Sequence, residues 1–177
     1  MKDIKNNSTG VNIMKDWLLP IAAAILIAII INKTLFFMIE VPSSSMYPTI
    51  KIGDRIAVTR IYNTNKLQRG DIIVFNSKEL GIVLVKRLIG LPGDMVDIKE
   101  NGELYINGKH KSEPYVIQNG GKSGTFKVPA NSYFFLGDNR RDSFDAREWK
   151  NHYIPADDLV GKAQVLLFPF NRIKIVK

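Results

Sequence analysis

Hydrophobic positions follow two different patterns along this chain. At positions 17–31 the sequence WLLPIAAAILIAIII is uncharged, and apolar residues resume at 35–39 as LFFMI. A helix of about 20 apolar residues crosses the hydrocarbon core of a bilayer. The span 17–39 therefore predicts one N-terminal transmembrane helix. The tail before it, 1–16, carries a small excess of lysine, which favours a cytoplasmic N-terminus.

The N-terminal apolar run could instead be a cleavable secretory signal or a buried helix. A cleavable signal needs small residues after the run, whereas this sequence continues with the large residues FFMIEVP. A helix buried in a soluble core is the second alternative, and an apolar surface all round over this length makes it the weaker one. The pattern therefore favours an uncleaved, single-pass membrane anchor.

From position 40 onward, short alternating or apolar runs replace the long one. Gly, Asn, Asp and Pro separate them, which is typical of β-strands joined by turns. The runs occupy 55–62, 71–77, 81–90, 95–100, 103–108, 132–138, 163–170 and 172–177. Asn101-Gly102 predicts the tip of a hairpin, and FDAREWK at 144–150 has a weak helical period. We expect a mainly β fold, in which an antiparallel β-sheet domain over 40–177 faces out of the cytoplasm.

Charge and cysteine content argue against some kinds of partner and site. The chain has 177 residues and a formal net charge of +8, from 25 Lys+Arg against 17 Asp+Glu. The positive charge is spread along the chain without interleaved aromatic residues, so we expect no nucleic-acid partner. The sequence contains no cysteine, which excludes disulfides and thiolate metal sites.

Two segments carry residues that could perform chemistry. VPSSSMYPTI at 41–50 follows the apolar run, and a Ser/Pro cluster by itself is typical of a loop. In the strand IVLVKRLIG, alternation places Lys86 on the same face as Ile82 and Leu84. Burial there would lower the pKa of the amine, and a neutral amine is a competent general base. A lysine that extends its charged end to solvent is the commoner alternative.

A third segment, GDNRRDSFDAR at 137–147, follows an apolar strand and is rich in Asp, Asn and Arg. It is either a solvated loop or an internal polar network that makes a site rigid. The density of both charge signs favours the network.

In this order, SMYPT at 45–49, GDRIAVTR at 53–60, VKRLIGLPGD at 85–94 and GDNRRDSFDAR resemble the signature segments of type I signal peptidases. These are membrane-bound Ser/Lys proteases that remove signal peptides from exported proteins. A single anchor and a short domain resemble the Gram-positive branch of the family.

The resemblance implies a role for several residues. Ser45 matches the nucleophile and Lys86 the general base, while the Ser43 hydroxyl would join the Ser45 N–H in the oxyanion hole. Ser143 would position the lysine amine. The supporting polar network would contain Asp138, Arg140, Asp145 and Arg147, and the substrate groove would be lined by Val41, Met46, Leu84 and Val85. The chain departs from many relatives at Ala146, where they have Ser, and at Arg141, which adds charge.

The implied function is that of a membrane-anchored serine endopeptidase that cleaves signal peptides after small residues at the first and third positions before the cut. Its partners would be signal-peptide-bearing preproteins and the lipid bilayer, and it would need neither metal nor cofactor. Three alternatives stay open: a Ser-His-Asp hydrolase that uses His110 or His152, a narrow-specificity processing peptidase of the same clan, and a non-enzymatic membrane-anchored β module that binds exported proteins.

Overall fold

A computed structural model describes residues 14–176 of the chain. Residues 1–13, which make up most of the predicted cytoplasmic tail, and Lys177 lie outside the described residues. The chain forms two compact units, one ending at Leu35 and the other beginning at Phe36.

The N-terminal unit is helical. A short π-helical segment, Met14–Leu18, leads into helix α1, Leu19–Leu35. Its apolar side chains are exposed over the described part, as at Trp17, Leu19 and Leu26. Within residues 14–176, no helix is both long enough and apolar enough to cross a membrane.

The C-terminal end of the predicted anchor is corrected by the structure. Helix α1 ends at Leu35, and Phe36–Glu40 forms strand β1, whereas the sequence pattern predicts helix as far as Ile39. Strand β1 pairs antiparallel with β2, Arg55–Arg60. Phe37 and Ile39 pack against the core while their neighbours stay more exposed. Alternation against a partner strand therefore decides this segment, although its composition alone also suits a helix.

Over residues 36–176, the second unit consists of strands and three short 3-10 helices. The remaining strands are β3 Ile72–Ser77, β4 Ile82–Gly90, β5 Met95–Ile98, β6 Leu104–Ile106, β7 Lys109–Lys111, β8 Gly124–Lys127, β9 Ser132–Leu136, β10 Ile154–Pro155, β11 Leu159–Phe168 and β12 Lys174–Ile175. The 3-10 helices are Thr64–Lys66, Ala156–Asp158 and Phe170–Arg172.

These strands form two antiparallel sheets. The larger has the order β1-β2-β11-β3-β4-β9-β10, with β12 also paired to β11, and the smaller has the order β7-β6-β5-β8. The prediction of a mainly β, antiparallel domain is confirmed. Asn101-Gly102 does separate the paired strands β5 and β6, with Gly102 at positive φ. Residues 144–150, by contrast, contain turns and bends without a helix, and Asp145 and Arg147 of this segment pair with each other in the interior.

Strand β3 explains why the larger sheet is apolar on both faces. Ile73 and Phe75 join one buried cluster, shared with the smaller sheet, while Ile72 and Val74 join a second cluster on the opposite face. A strand covered on both sides reads as a continuous apolar run, as this one does. The domain therefore has a core on each side of its central strand.

Strand β4 is paired unequally on its two edges. Its register with β3 runs from Ile82 to Arg87, whereas its register with β9 begins only at Arg87. Among the strands of residues 14–176, none pairs with the second edge of 82–86. At the C-terminal end of β4 the larger and smaller sheets pack closely, since a Cβ on Gly90 would lie 2.8 Å from side-chain atoms of Val96 and Val128.

The placement of strand β1 leads to a prediction about truncation. A variant that begins at Phe36 should keep the stability of the β domain, because it retains all strands. A variant that begins at Val41 should lose about 2–4 kcal/mol in its free energy of unfolding, because it loses β1 pairing and the packing of Phe37 and Ile39. Guanidinium unfolding followed by circular dichroism measures both. Equal unfolding midpoints would contradict a structural role for β1.

Candidate active site

Ser45 lies in a turn that an apolar side chain fixes to the core. Residues 45–49 form this turn, and the next residue after the serine, Met46, is 1% exposed in the second core cluster. The Ile50 N–H donates to the Met46 carbonyl at 2.9 Å. Ser45 itself is half-buried, and its Oγ lies 3.3 Å from Ser43 Oγ. The nucleophile candidate is therefore accessible while its backbone is held.

Lys86 is buried on the apolar face of β4. It is 3% exposed and stands opposite Ile73 of β3, on the same face as Leu84 and Leu88. Its Nζ lies 3.0 Å from Ser143 Oγ. Burial lowers the pKa of the Lys86 amine from its ordinary value of 10.5 to about 8, and the nearby carboxylates oppose this only in part. A large fraction of Lys86 is then neutral in mildly alkaline solution.

Gly137 allows Ser143 to lie close to the backbone of Ser45. A Cβ at this glycine would lie 2.1 Å from Ser143 Oγ and 2.5 Å from the Ser45 carbonyl oxygen. No side chain fits in that space. Since Ser143 contacts Lys86, the 137–147 loop places the lysine's partner directly beside the backbone of Ser45.

Asn139 holds the two peptide groups that flank Ser45. Its backbone N–H donates to the Ser45 carbonyl at 3.0 Å, and its Nδ2 donates to the Ser44 carbonyl at 3.3 Å. The Ser44 carbonyl and the Ser45 N–H belong to one planar peptide unit. Fixing that carbonyl therefore also fixes the direction of the Ser45 N–H.

Two buried ion pairs support this loop. Arg87 donates to both carboxylate oxygens of Asp138, at 2.7 and 2.6 Å, and Thr49 Oγ1 donates to the same carboxylate at 2.5 Å. Arg147 pairs in the same two-pronged way with Asp145, at 2.8 and 2.9 Å. Planar guanidinium–carboxylate pairs of this kind fix orientation as well as distance.

Arg140 pairs with a carboxylate that lies outside the 137–147 loop. Its Nε donates to the Gly137 carbonyl at 3.0 Å, and its NH2 group donates to Glu113 Oε1 at 2.5 Å. Glu113 lies in the connection between β7 and β8. In the same connection, the Tyr115 ring lies 3.8 Å below the Arg87 guanidinium carbon.

The residues singled out in the sequence are placed as follows. Ser43 lies beside Ser45, Lys86 contacts Ser143, and Ser143 lies next to the Ser45 backbone at Gly137, while Asp138, Arg140, Asp145 and Arg147 are all buried. Residues that the sequence reasoning missed as members of this site are Thr49, Arg87, Asn139, Glu113 and Tyr115. Thr49, Arg87 and Asn139 lie within the signature segments of the sequence. No sequence signal marks Glu113 or Tyr115, which lie outside those segments, in the connection between β7 and β8.

The predicted groove residues differ in exposure. Val41 and Met46 are almost fully buried in the second core cluster, whereas Leu84 and Val85 are half-buried on β4. At the two departures from the family pattern, Ala146 is packed in the first core cluster and Arg141 is exposed.

Both histidines contact groups other than these serines. His110 lies on the edge strand β7 with its ring edge-on to Tyr105. His152 contacts the Ala146 carbonyl through Nδ1 and packs edge-on against Phe126. Across residues 14–176, no group of three or more His, Asp or Glu side chains is arranged to hold a metal ion.

Comparison with known proteins agrees with this geometry. The family described as "Signal peptidase, peptidase S26" matches residues 14–168. Signal peptidase I T of Bacillus subtilis (strain 168) is 38% identical in an alignment of 195 positions that covers all of both chains. Signal peptidase I of Bacillus licheniformis is also 38% identical, over 92% of this chain and 93% of its own.

A solved structure is similar as well. The crystal structure of a signal peptidase I from Enterococcus faecalis V583 aligns with a TM-score of 0.50 and 36% identity, covering 55% of this chain and 96% of its own. The matches in sequence and in fold name one activity, the removal of signal peptides from secreted preproteins. The chain therefore belongs to the signal peptidase family, peptidase S26, and is a signal peptidase.

Proposed function

We propose that this signal peptidase is a membrane-anchored serine endopeptidase whose catalytic pair is Ser45 and Lys86. The observation that carries the proposal is the buried amine of Lys86, held on Ser143 by a loop that also binds the Ser45 backbone. Burial makes the amine a base at a pH where most lysines are charged. A serine needs such a base because its hydroxyl is a weak nucleophile by itself.

The proposed reaction is acyl transfer in two steps. Neutral Lys86 accepts the Ser45 proton as Oγ attacks the scissile carbonyl. The tetrahedral intermediate then expels the amine of the mature protein, which takes that proton from Lys86. In the second step Lys86 accepts a proton from water, the resulting hydroxide attacks the acyl-enzyme, and the proton returns to Ser45 as the signal peptide leaves.

The developing oxyanion needs hydrogen-bond donors in the same place. The Ser45 N–H and the Ser43 hydroxyl fill this role, and the contact between Asn139 and the Ser44 carbonyl keeps the N–H oriented. One such donor is typically worth about 10²–10³ in kcat. The ion pairs of Asp138 and Asp145, together with Arg140, hold the loop that aligns these groups.

The substrate is proposed to bind as an added strand. The edge of β4 that is unpaired over 82–86 offers its backbone groups directly before Lys86. Main-chain pairing supplies affinity, and side-chain pockets supply specificity. Leu84 and Val85 are half-buried, and the buried Val41 and Met46 offer little free depth. Shallow apolar pockets of this kind select small residues at the first and third positions before the cut.

The N-terminal helix is proposed to hold the enzyme at the membrane, with the N-terminus in the cytoplasm and the β domain on the other side. Apolar side chains such as Trp17, Leu19 and Leu26 are exposed along it. Continuous exposed apolar surface is a mark of membrane contact. A signal peptide is itself an apolar segment, so an enzyme confined to the same membrane meets it at a raised effective concentration.

The catalytic pair can be tested by substitution. Ser45→Ala and Lys86→Met should each lower kcat/KM on a preprotein by about 10⁴-fold or more, because each removes one half of an interdependent pair. Methionine keeps the apolar stem of the lysine and removes the amine. Ser44→Ala, at an exposed side chain, is the matched control and should retain activity within about twofold. Cleavage by Lys86→Met at the unmodified rate would rule out the pair.

The pKa of Lys86 predicts the pH dependence. Protonated Lys86 cannot accept the Ser45 proton, so kcat/KM should fall about tenfold per pH unit below pH 8 and level off above it. Stopped assays with a short peptide from pH 6 to 10 measure this limb. A limb that lies above pH 10, where ordinary lysines titrate, would contradict a desolvated base.

Membrane attachment is tested with lipid vesicles. The full chain should float with anionic vesicles in a density gradient, whereas the variant that begins at Phe36 should remain in the soluble fractions. That variant should still cleave short peptides, because the proposed chemistry lies entirely in the second unit. Flotation of both proteins to the same extent would show that the helix is not the anchor.

A further inference from the structure

Six charged side chains form three buried ion pairs in and beside the 137–147 loop that carries Ser143. Each of the six side chains is no more than 9% exposed, and three are positively and three negatively charged. The cations are Arg87, Arg140 and Arg147, and the anions are Asp138, Asp145 and Glu113. Strand β4 and the 137–147 loop supply five of them. Glu113 is the exception, since it comes from the connection between β7 and β8 in the smaller sheet.

Glu113 makes two hydrogen bonds in this cluster. Its Oε1 accepts from the NH2 group of Arg140 and from the hydroxyl of Tyr115, each at 2.5 Å. The side chains of Arg140 and Glu113 are 3% and 9% exposed. Within the described chain, Glu113 is the carboxylate that pairs with Arg140. A buried charge that loses its partner is strongly destabilising, so neither group can be neutralised at low cost.

The connection that carries Glu113 contacts every arginine of the cluster. Besides the Glu113–Arg140 pair, the Tyr115 ring packs on Arg87, and the Gly120 carbonyl accepts from Arg147 at 2.5 Å. Burial and the Glu113 carboxylate raise the pKa of the Tyr115 phenol, so this hydroxyl remains a donor. The 113–120 segment thus closes the side of the cluster that the loop leaves open.

We propose that Glu113 is a positioning residue for Lys86: it balances the third buried arginine and, through Arg140, fixes the loop on which the lysine depends. The physical path is short. Arg140 binds the Gly137 carbonyl, Gly137 packs against Ser143, and Ser143 contacts the Lys86 amine. The inference rests on the proposed role of Lys86 as the base, and it assigns a part in that role to a residue of the smaller sheet.

The charge balance has a direct consequence for the lysine. The charged groups acting on Lys86 are Asp145, Arg147 and Asp138, and the Ser143 hydroxyl contacts its amine. With Glu113 ionised, the three arginines and three carboxylates of the cluster together carry no net charge. Removing the Glu113 charge leaves one excess positive charge, which disfavours a protonated lysine. Arg140 then also loses the contact that anchors it beside Gly137.

The test compares Glu113→Gln with wild type in pH profiles of the full chain in detergent, using a short peptide substrate. We expect the plateau of kcat to fall about 10- to 100-fold, with KM little changed because Glu113 is remote from the proposed groove. The acidic limb should move to lower pH by about 0.3–1 unit. If Glu113 only stabilised the fold, Glu113→Gln would lower the kcat plateau without moving the acidic limb of the pH profile. That outcome would overturn the proposal.

Two further variants separate charge from shape. Glu113→Asp keeps the charge on a shorter stem, so the limb should stay within about 0.2 unit of wild type while the plateau falls. The double variant Glu113→Gln/Arg140→Gln restores neutrality and should return the limb to the wild-type position. A limb shift in Glu113→Asp as large as that in Glu113→Gln would overturn the charge-balance account, even if Glu113→Gln proved too unstable to assay.

Glu103 provides the matched control. It accepts a hydrogen bond from Tyr105 at 3.2 Å, in the same two-residue spacing, but in an exposed place on the smaller sheet. Glu103→Gln should leave both plateau and limb unchanged. A shift there equal to that of Glu113→Gln would show a general effect of surface charge and would overturn the proposal.

A direct titration separates this inference from the proposed function. The ¹³Cε resonance of Lys86, assigned by its loss in Lys86→Met, reports the lysine pKa without turnover. A lower pKa in Glu113→Gln supports the inference even if Ser45→Ala were to prove active and the proposed catalytic pair wrong. An unchanged Lys86 resonance in an enzyme that does depend on Ser45 and Lys86 would overturn the inference alone.

Discussion

An amine packed among Leu84, Leu88 and Ile73 loses the water that would stabilise its charge, and this desolvation governs the rest of the site. A neutral lysine requires that the charges around it cancel, because an excess negative charge would protonate it again. The arginines and carboxylates behind Lys86 meet that condition as pairs. Burying such pairs contributes little net stability. Their value lies in fixing direction, which a base and its nucleophile need.

The 137–147 loop connects these ion pairs to the backbone of Ser45. Gly137 leaves space for Ser143 on one side and for the Ser45 backbone on the other. Asn139 then binds the peptide groups before and after the serine. One short loop therefore contacts Ser143, the partner of Lys86, and also the peptide group that carries the proposed oxyanion donor, the Ser45 N–H. Small displacements of this loop would disturb all of them together.

Strand β4 carries both the proposed binding edge and the proposed base. Among the described strands, its residues 82–86 are paired on one edge only, it is paired on both edges from Arg87 onward, and Lys86 and Arg87 at this boundary are buried. A peptide that extends along the open edge therefore runs toward the proposed base. Strand β1, which follows helix α1 directly in the sequence, pairs with β2 in the same sheet as β4.

Sequence alone determined the features that depend on local pattern. Alternation in 82–90 placed Lys86 on an apolar face, and Asn101-Gly102 marked a hairpin, because both follow from backbone geometry. The signature segments carried the residues of the loop and of the serine turn. Tertiary structure decided what depends on a distant partner. Phe36–Glu40 is a strand because β2 lies beside it, although its apolar composition also suits the end of a helix. Glu113 joins the site because folding brings the smaller sheet against Arg140, and no local pattern encodes a contact between residues so far apart in the chain.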